Sequence, residues 1–247
     1  MGEFTAEFIG TMILVLLGDG VVANVCLKGT KGNAGGWIVI TMGWGLAVFT
    51  AVAIAGEFSG AHINPAVTIA LAAAGKFAVA KVPLFLIAQF LGGAAGALLV
   101  WLFYKDHYDL TTDEGAILAT FATGPAIRNP ARNLLCEVIG TFVLLLAVLY
   151  ASCPTFTSGT EEVKVGMGCL GAIPVALVVM GIGLSLGGAT GYAINPARDL
   201  GPRLVHQLLP IKNKGTSDWA YSWVPIVGPI LGALLAAFIC CFCPSVG

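Results

Sequence analysis

The chain has 247 residues, of which 57% are hydrophobic and only 10% charged, where a soluble domain carries about 25% charged residues. A chain of this length can bury a large core, but too few charges remain to clothe that core in water, so the surrounding solvent is lipid. Twelve basic residues against 13 acidic ones leave a formal net charge of -1, which gives no basic field for nucleic acid and no acidic tail.

In chain order, Met1-Gly2-Glu3-Phe4 has neither the basic region nor the small-residue cleavage site of a removable signal, so the first apolar run is expected to stay. A membrane helix needs ~20 mostly apolar residues. Residues 32–56, 82–104, 138–160, 165–197 and 219–247 hold no charge, and a further apolar run over 4–25 is interrupted by Glu7 and Asp19. The spacing predicts spans at about 4–25, 37–58, 83–104, 134–152, 168–188 and 222–243. The seven cysteines (Cys26, Cys136, Cys153, Cys169, Cys240, Cys241 and Cys243) lie mostly in apolar stretches and read as small hydrophobes rather than a zinc or redox set.

Two segments are too short to span. Residues 59–75 and 190–204 each follow a full span, and each carries an Asn that can cap a helix with a Pro at the next position, whose fixed φ and missing N–H suit a first turn. They predict half-helices entering the membrane, at Asn64-Pro65-Ala66 and Asn195-Pro196-Ala197.

An internal repeat organises these elements. Glu7-Phe8-Ile9-Gly10-Thr11 returns as Glu137-Val138-Ile139-Gly140-Thr141, and Gly60, Ile63, Asn64, Pro65 and Ala66 return as Gly191, Ile194, Asn195, Pro196 and Ala197. Gly96-Ala97-Leu98-Leu99 returns as Gly232-Ala233-Leu234-Leu235. Each copy holds three full spans, an odd number, so the second copy enters from the opposite side of the bilayer and the half-helices meet near the midplane. The expectation is an all-α membrane protein with a single channel domain over 1–247. Repeat 1 covers about 4–104 and repeat 2 about 134–243; the connection over about 105–133 reads as a solvated loop, as does the acidic Glu161-Glu162 stretch.

The arrangement of two Asn-Pro-Ala half-helices in a six-span inverted repeat resembles the aquaporin family over nearly the whole chain. Asn195-Pro196-Ala197-Arg198-Asp199-Leu200-Gly201-Pro202-Arg203 is similar to the glycerol facilitators of that family, which have Asp directly after the pore Arg. By position, the resemblance implies a selectivity filter of Trp44, Gly183, Tyr192 and Arg198, with Tyr192 standing where Phe is usual. It also implies a homotetramer in the plasma membrane with both termini cytoplasmic. Loop charge argues for the reverse orientation, because Lys76, Lys81 and Lys164 are outnumbered by basic residues on the other side.

A bilayer core cannot hydrogen-bond a permeating hydroxyl, so the pore must supply donors and acceptors in place of water. Asn64 and Asn195 offer side-chain NH2 donors. The carbonyls of Gly60, Ala61, His62, Gly191, Tyr192 and Ala193 offer a row of acceptors. Arg198, one turn after Asn195, donates to a hydroxyl and repels cations, and two half-helix N-termini of roughly +0.5 charge each add to that barrier. Trp44 and Tyr192 are expected to form an apolar wedge opposite Arg198, with Gly183 leaving room for a polyol.

Glu7 and Glu137 sit at matching depth, and an intramembrane acid costs ~3 kcal/mol on insertion scales. A proton relay is one reading; anchoring of the half-helix loops through their N–H groups is favoured. These two and Asp199 are the carboxylates expected inside, and Asp199 reads as a salt bridge or loop clamp rather than half of a catalytic pair. His62 reads as a hydrogen-bonded core residue. Gly92-x-x-x-Gly96 and Gly228-x-x-x-Gly232 fit an oligomer interface or packing within the protomer equally well. The function expected is passive conduction of glycerol, small polyols and water, with ions and protons excluded, no chemical step and no cofactor or metal. A water-selective aquaporin and a coupled secondary transporter are the alternatives.

Overall fold

The computed structural model describes residues 1–152, 154–158 and 161–243; Cys153 lies outside them. Among the described residues, six helical segments are long and apolar enough to cross a membrane. They are α1 (Glu3–Cys26), α2 (Trp37–Ser59), α4 (Val82–Phe103) continuing the 3-10 turn Val79–Lys81, α7 (Pro130–Tyr150), α8 (Ile173–Leu186) continuing the 3-10 turn Gly168–Ala172, and α10 (Val224–Phe242). Their outward faces carry large apolar side chains such as Ile38, Leu102, Phe103 and Phe238, which belong in lipid rather than water.

Between the spans lie the half-helices α3 (Pro65–Ala73) and α9 (Pro196–Leu208). Each starts as its sequence dictates: the side-chain oxygen of Asn64 accepts from the Ala66 N–H, that of Asn195 from the N–H groups of Ala197 and Arg198, and a Pro fills the first helical position. The repeat is visible in the packing. Helix α1 lies against α4 as α7 lies against α10. The half-helices cross over, α3 packing on α10 and α9 on α4, so each repeat is seated on the other's third span.

The paired glycines make that close packing possible. A β-carbon on Gly96 would stand 2.6 Å from the Met12 carbonyl oxygen of α1, and one on Gly232 would stand 2.3 Å from the Val138 carbonyl oxygen of α7. Gly92 and Gly228 meet α1 and α7 in the same way. The alternative left open by sequence is therefore decided: both Gly-x-x-x-Gly pairs face helix contacts within the protomer.

Two connections depart from the expected loops. Residues 105–133 contain α5 (Lys105–Leu110) and α6 (Glu114–Ala119), and bury Tyr108, Ile117 and Phe121 against α1 and α4. These elements are too short to show a helical period, so sequence alone reads them as loop. After α7, β1 (Thr155–Ser158) pairs antiparallel with β2 (Glu161–Lys164), Thr155 opposite Lys164 and Ser158 opposite Glu161. The all-α description thus gains one small hairpin, and Glu161-Glu162 is strand rather than loop.

Candidate functional site

The site is built from the two extended segments that precede α3 and α9. Gly60 and Gly191 both take φ of 80°, and Ala61, Ile63, Tyr192 and Ile194 take φ of 47°, 44°, 38° and 42°, a left-handed region that L side chains rarely occupy. Non-glycine residues held there are strained, by about 1–3 kcal/mol each, and persist only where the surroundings over-determine them. Alternation of left-handed and ordinary residues turns successive carbonyls toward one side, which is how a peptide presents a row of acceptors.

Two buried carboxylates hold these segments. Glu7 accepts from the Ser59 hydroxyl at 2.6 Å, the His62 and Ile63 N–H groups at 2.9 and 2.7 Å and the Gln89 amide at 2.7 Å. Glu137 accepts from the Thr190 hydroxyl at 2.7 Å and the Ala193 and Ile194 N–H groups at 3.0 and 2.9 Å. Three donors correspond between the repeats; Gln89 is peculiar to the first, and sequence reasoning missed it. With N–H groups turned outward to the carboxylates, the carbonyls are free to face inward. His62 is seated by its Nδ1 at 3.1 Å from the Thr68 hydroxyl and by the rings of Phe77 and Phe85.

Where the half-helices meet, the two asparagines brace each other's loop. Asn64 Nδ2 donates to the Ile194 carbonyl at 2.8 Å, and Asn195 Nδ2 donates to the Ile63 carbonyl at 2.9 Å. Each amide therefore spends one hydrogen on the opposite repeat and keeps one for the lumen, a division the sequence does not show.

Two cavities adjoin here, and the larger includes the meeting point of the half-helices. The larger, of about 620 Å³, is lined by Gly60, Ala61, His62, Asn64, Ala193 and Asn195 and by the aliphatic side chains of Leu14, Val48, Val67, Leu144, Val148 and Val179. The smaller, of about 280 Å³, is lined by Val22, Cys26, Trp37, Thr123 and Gly191 among others. Three residues line both cavities: Trp44, Tyr192 and Arg198. Gly191, grouped by sequence with the other acceptors, thus belongs to the smaller cavity.

The geometry at the shared wall corrects two expectations. Arg198 does not stand across from Trp44: its guanidinium lies over the indole ring, 4.1 Å from the centroid, a cation–π stack. Nor is the space beside Gly183 open. A β-carbon there would lie 2.9 Å from Tyr192 Cζ and 3.0 Å from its Oη, so the phenol fills the gap. Trp37, not singled out in the sequence, fixes this corner by donating its indole N–H to the Gly183 carbonyl at 2.9 Å and meeting the Tyr192 ring edge-on.

A third correction concerns charge. Asp19, which reads in the sequence as an interruption of the first span, is wholly buried, and its Oδ1 lies 3.7 Å from Arg198 Nη1. Among the described residues, the buried carboxylates are thus Glu7, Glu137, Asp199 and Asp19. Asp199 pairs with Arg203 rather than with its neighbour Arg198, at 2.8 Å from Nε, and accepts from the Thr123 N–H and hydroxyl at 2.7 and 2.6 Å. Arg203 donates onward to the Thr123, Ser217 and Asp218 carbonyls, tying both connecting segments to α9.

Comparison with known proteins agrees with this architecture over its full length. The profile of a family described as "Major intrinsic protein" matches residues 1–240. The chain belongs to the major intrinsic protein family. Among curated relatives, the "Glycerol uptake facilitator protein" of Streptococcus pneumoniae is 53% identical over 229 residues, covering 93% of this chain and 94% of the relative. "Glycerol uptake facilitator protein 3" of Lactiplantibacillus plantarum is 53% identical over 227 residues, covering 92% and 90%. Among solved structures, the aquaglyceroporin from Plasmodium falciparum superposes with a TM-score of 0.81 at 32% identity, covering 98% of this chain and 96% of its own. The family member described here is therefore a multi-pass membrane protein with two half-helices meeting inside it.

Proposed function

We propose that this protein conducts glycerol, related small polyols and water passively across the plasma membrane, and that Trp44, Tyr192 and Arg198 form its constriction with Gly183 behind them. The observation that carries the reading is that these three residues alone among the described residues wall both cavities, so a solute passing from one to the other passes them. A polyol suits this wall: its carbon backbone lies on the two rings while its hydroxyls meet the Arg198 guanidinium and the carbonyls of Tyr192 and Ala193. The relatives named for glycerol uptake support the substrate class.

Beyond the constriction, the larger cavity combines the loop residues of the carbonyl row with aliphatic side chains, the two kinds of surface that suit a polyol. The free hydrogens of Asn64 and Asn195 donate at the junction. Positive half-helix ends and Arg198 raise the barrier to cations and protons. No chemical step is involved. Glu7 and Glu137 act as loop anchors, Asp199 as a clamp on Thr123 in the wall of the smaller cavity. A homotetramer with cytoplasmic termini is part of the same proposal, supported by family membership.

The direct test is a solute series in proteoliposomes measured by light scattering. Water and glycerol enter fast and a six-carbon polyol does not; equal entry of glycerol and the six-carbon polyol would remove the constriction from these residues.

A further inference from the structure

Asp19 is a buried carboxylate in a membrane span, and neither of its oxygens has a hydrogen-bond partner within the described residues. Its neighbour Arg198 is in the matching condition, with Nη1 buried and likewise without a hydrogen bond. The two stand 3.7 Å apart, an ion pair rather than a hydrogen bond. The remaining charges nearby are already committed. Arg203 takes Asp199 at 2.8 Å and three carbonyls, so the two buried arginines are matched one to one with two buried aspartates.

The residue before Asp19 serves the same wall. A β-carbon on Gly18 would come within 2.2 Å of Trp44 Cζ3, so α1 offers in consecutive positions a gap that seats the Trp44 ring and a charge that faces Arg198. Those two side chains are themselves stacked at 4.1 Å. Asp19 lines neither cavity, so it does not touch a permeating solute.

We infer that Asp19 is the counter-charge of the constriction, a positioning and specificity-determining residue that neutralises Arg198 so that anions are excluded along with cations. The physical reason is the sign of the fixed charge. Arg198 and two half-helix N-termini of about +0.5 each would by themselves make the narrowest point attractive to anions. A single carboxylate 3.7 Å from Arg198 offsets part of that positive field, so the site still repels cations but no longer draws anions strongly, while leaving the guanidinium N–H groups available to hydroxyls. This rests on the proposal that Trp44, Tyr192 and Arg198 form the constriction.

The test uses the full-length protein in planar bilayers under a potassium nitrate gradient, with glycerol flux measured in parallel in proteoliposomes. Asp19→Asn keeps the shape and removes the charge; nitrate conductance should rise on the order of tenfold or more above the parent, from one unscreened unit charge in a low-dielectric site. Asp19→Ser makes the same charge change with a smaller side chain should Asp19→Asn fail to assemble. The double variant Asp19→Asn with Arg198→Gln, in which both charges are gone, should lose the nitrate conductance again. A merely structural Asp19 predicts lower glycerol flux in both variants and no nitrate current in either, and that result overturns the inference. If Arg198→Gln alone leaves the glycerol-to-water ratio and cation exclusion as in the parent, the assignment of the constriction fails instead.

Discussion

The phenol of Tyr192 lies across Gly183, its Cζ 2.9 Å from where a β-carbon on the glycine would be. The glycine makes room for the ring, and the ring lines both cavities. Gly183→Ala drives the phenol toward the lumen. Overpacking of this kind costs about 1–3 kcal/mol, so glycerol flux should fall by about tenfold while water flux falls less. Parallel stopped-flow traces for the two solutes check this, and equal losses would argue that the variant is simply misfolded or that the ring stands elsewhere.

Glu7 and Glu137 differ by one donor, the Gln89 amide at 2.7 Å from Glu7. A glutamine at either position presents an NH2 to an N–H that needs an acceptor, and each charged hydrogen bond lost is worth about 1.5–3 kcal/mol. Both Glu→Gln variants should lower thermal stability in detergent and slow water and glycerol alike, because the carbonyl row of the affected loop loses its hold. Glu7→Gln is expected to suffer more than Glu137→Gln. The reverse order in melting temperature would contradict the donor accounting.

Arg203 and Arg128 both contact aspartates, but only the first pair is fully buried; the Arg128 side chain, paired with Asp218, is 52% exposed. Arg203→Leu strands Asp199 without a cation and should destabilise the fold by about 3–5 kcal/mol. Arg128→Ala should cost about 0–1 kcal/mol. Thermal unfolding of the two variants side by side distinguishes them, and comparable losses would mean that the clamp is less dry than the structure has it.

Gly232 meets the Val138 carbonyl across the α7–α10 contact, with 2.3 Å available to an added β-carbon. Gly232→Val should therefore unfold the protomer at lower temperature, by about 1–3 kcal/mol or more of overpacking. Size-exclusion chromatography of the surviving fraction should show the same assembly as the parent. A well-folded variant that merely dissociates would place this glycine on a contact between protomers.

Much of the architecture is legible in the sequence because lipid imposes long charge-free stretches and because the repeat duplicates its signatures. The bounds of α1, α2 and α10 fall within a residue or two of the spans expected at 4–25, 37–58 and 222–243, and Asn64-Pro65 and Asn195-Pro196 mark their helix starts by local capping chemistry alone. What escapes is contact between distant positions. Nothing around residue 19 says that it faces residue 198, and an Asp within a span reads as noise when its partner is 179 residues away. The direction of a ring is equally hidden: Tyr192 can be placed near the constriction by its distance from Asn195, but that it lies on Gly183, and that Arg198 folds onto Trp44, follows only from tertiary packing. Short helices such as α5 and α6, each burying a single side chain, escape for another reason, since one turn and a half carries no period to detect.

The central claim is passive passage of a neutral polyol, and the most direct measurement is glycerol movement in proteoliposomes carrying the full-length protein, with ionophores present or absent and with current recorded in a planar bilayer. The account predicts rapid entry down the gradient, an internal concentration that stops at the external one, no effect of ionophores and no current. Accumulation of glycerol above the external concentration, or uptake abolished when an ion gradient is collapsed, would contradict it and make the protein a coupled transporter.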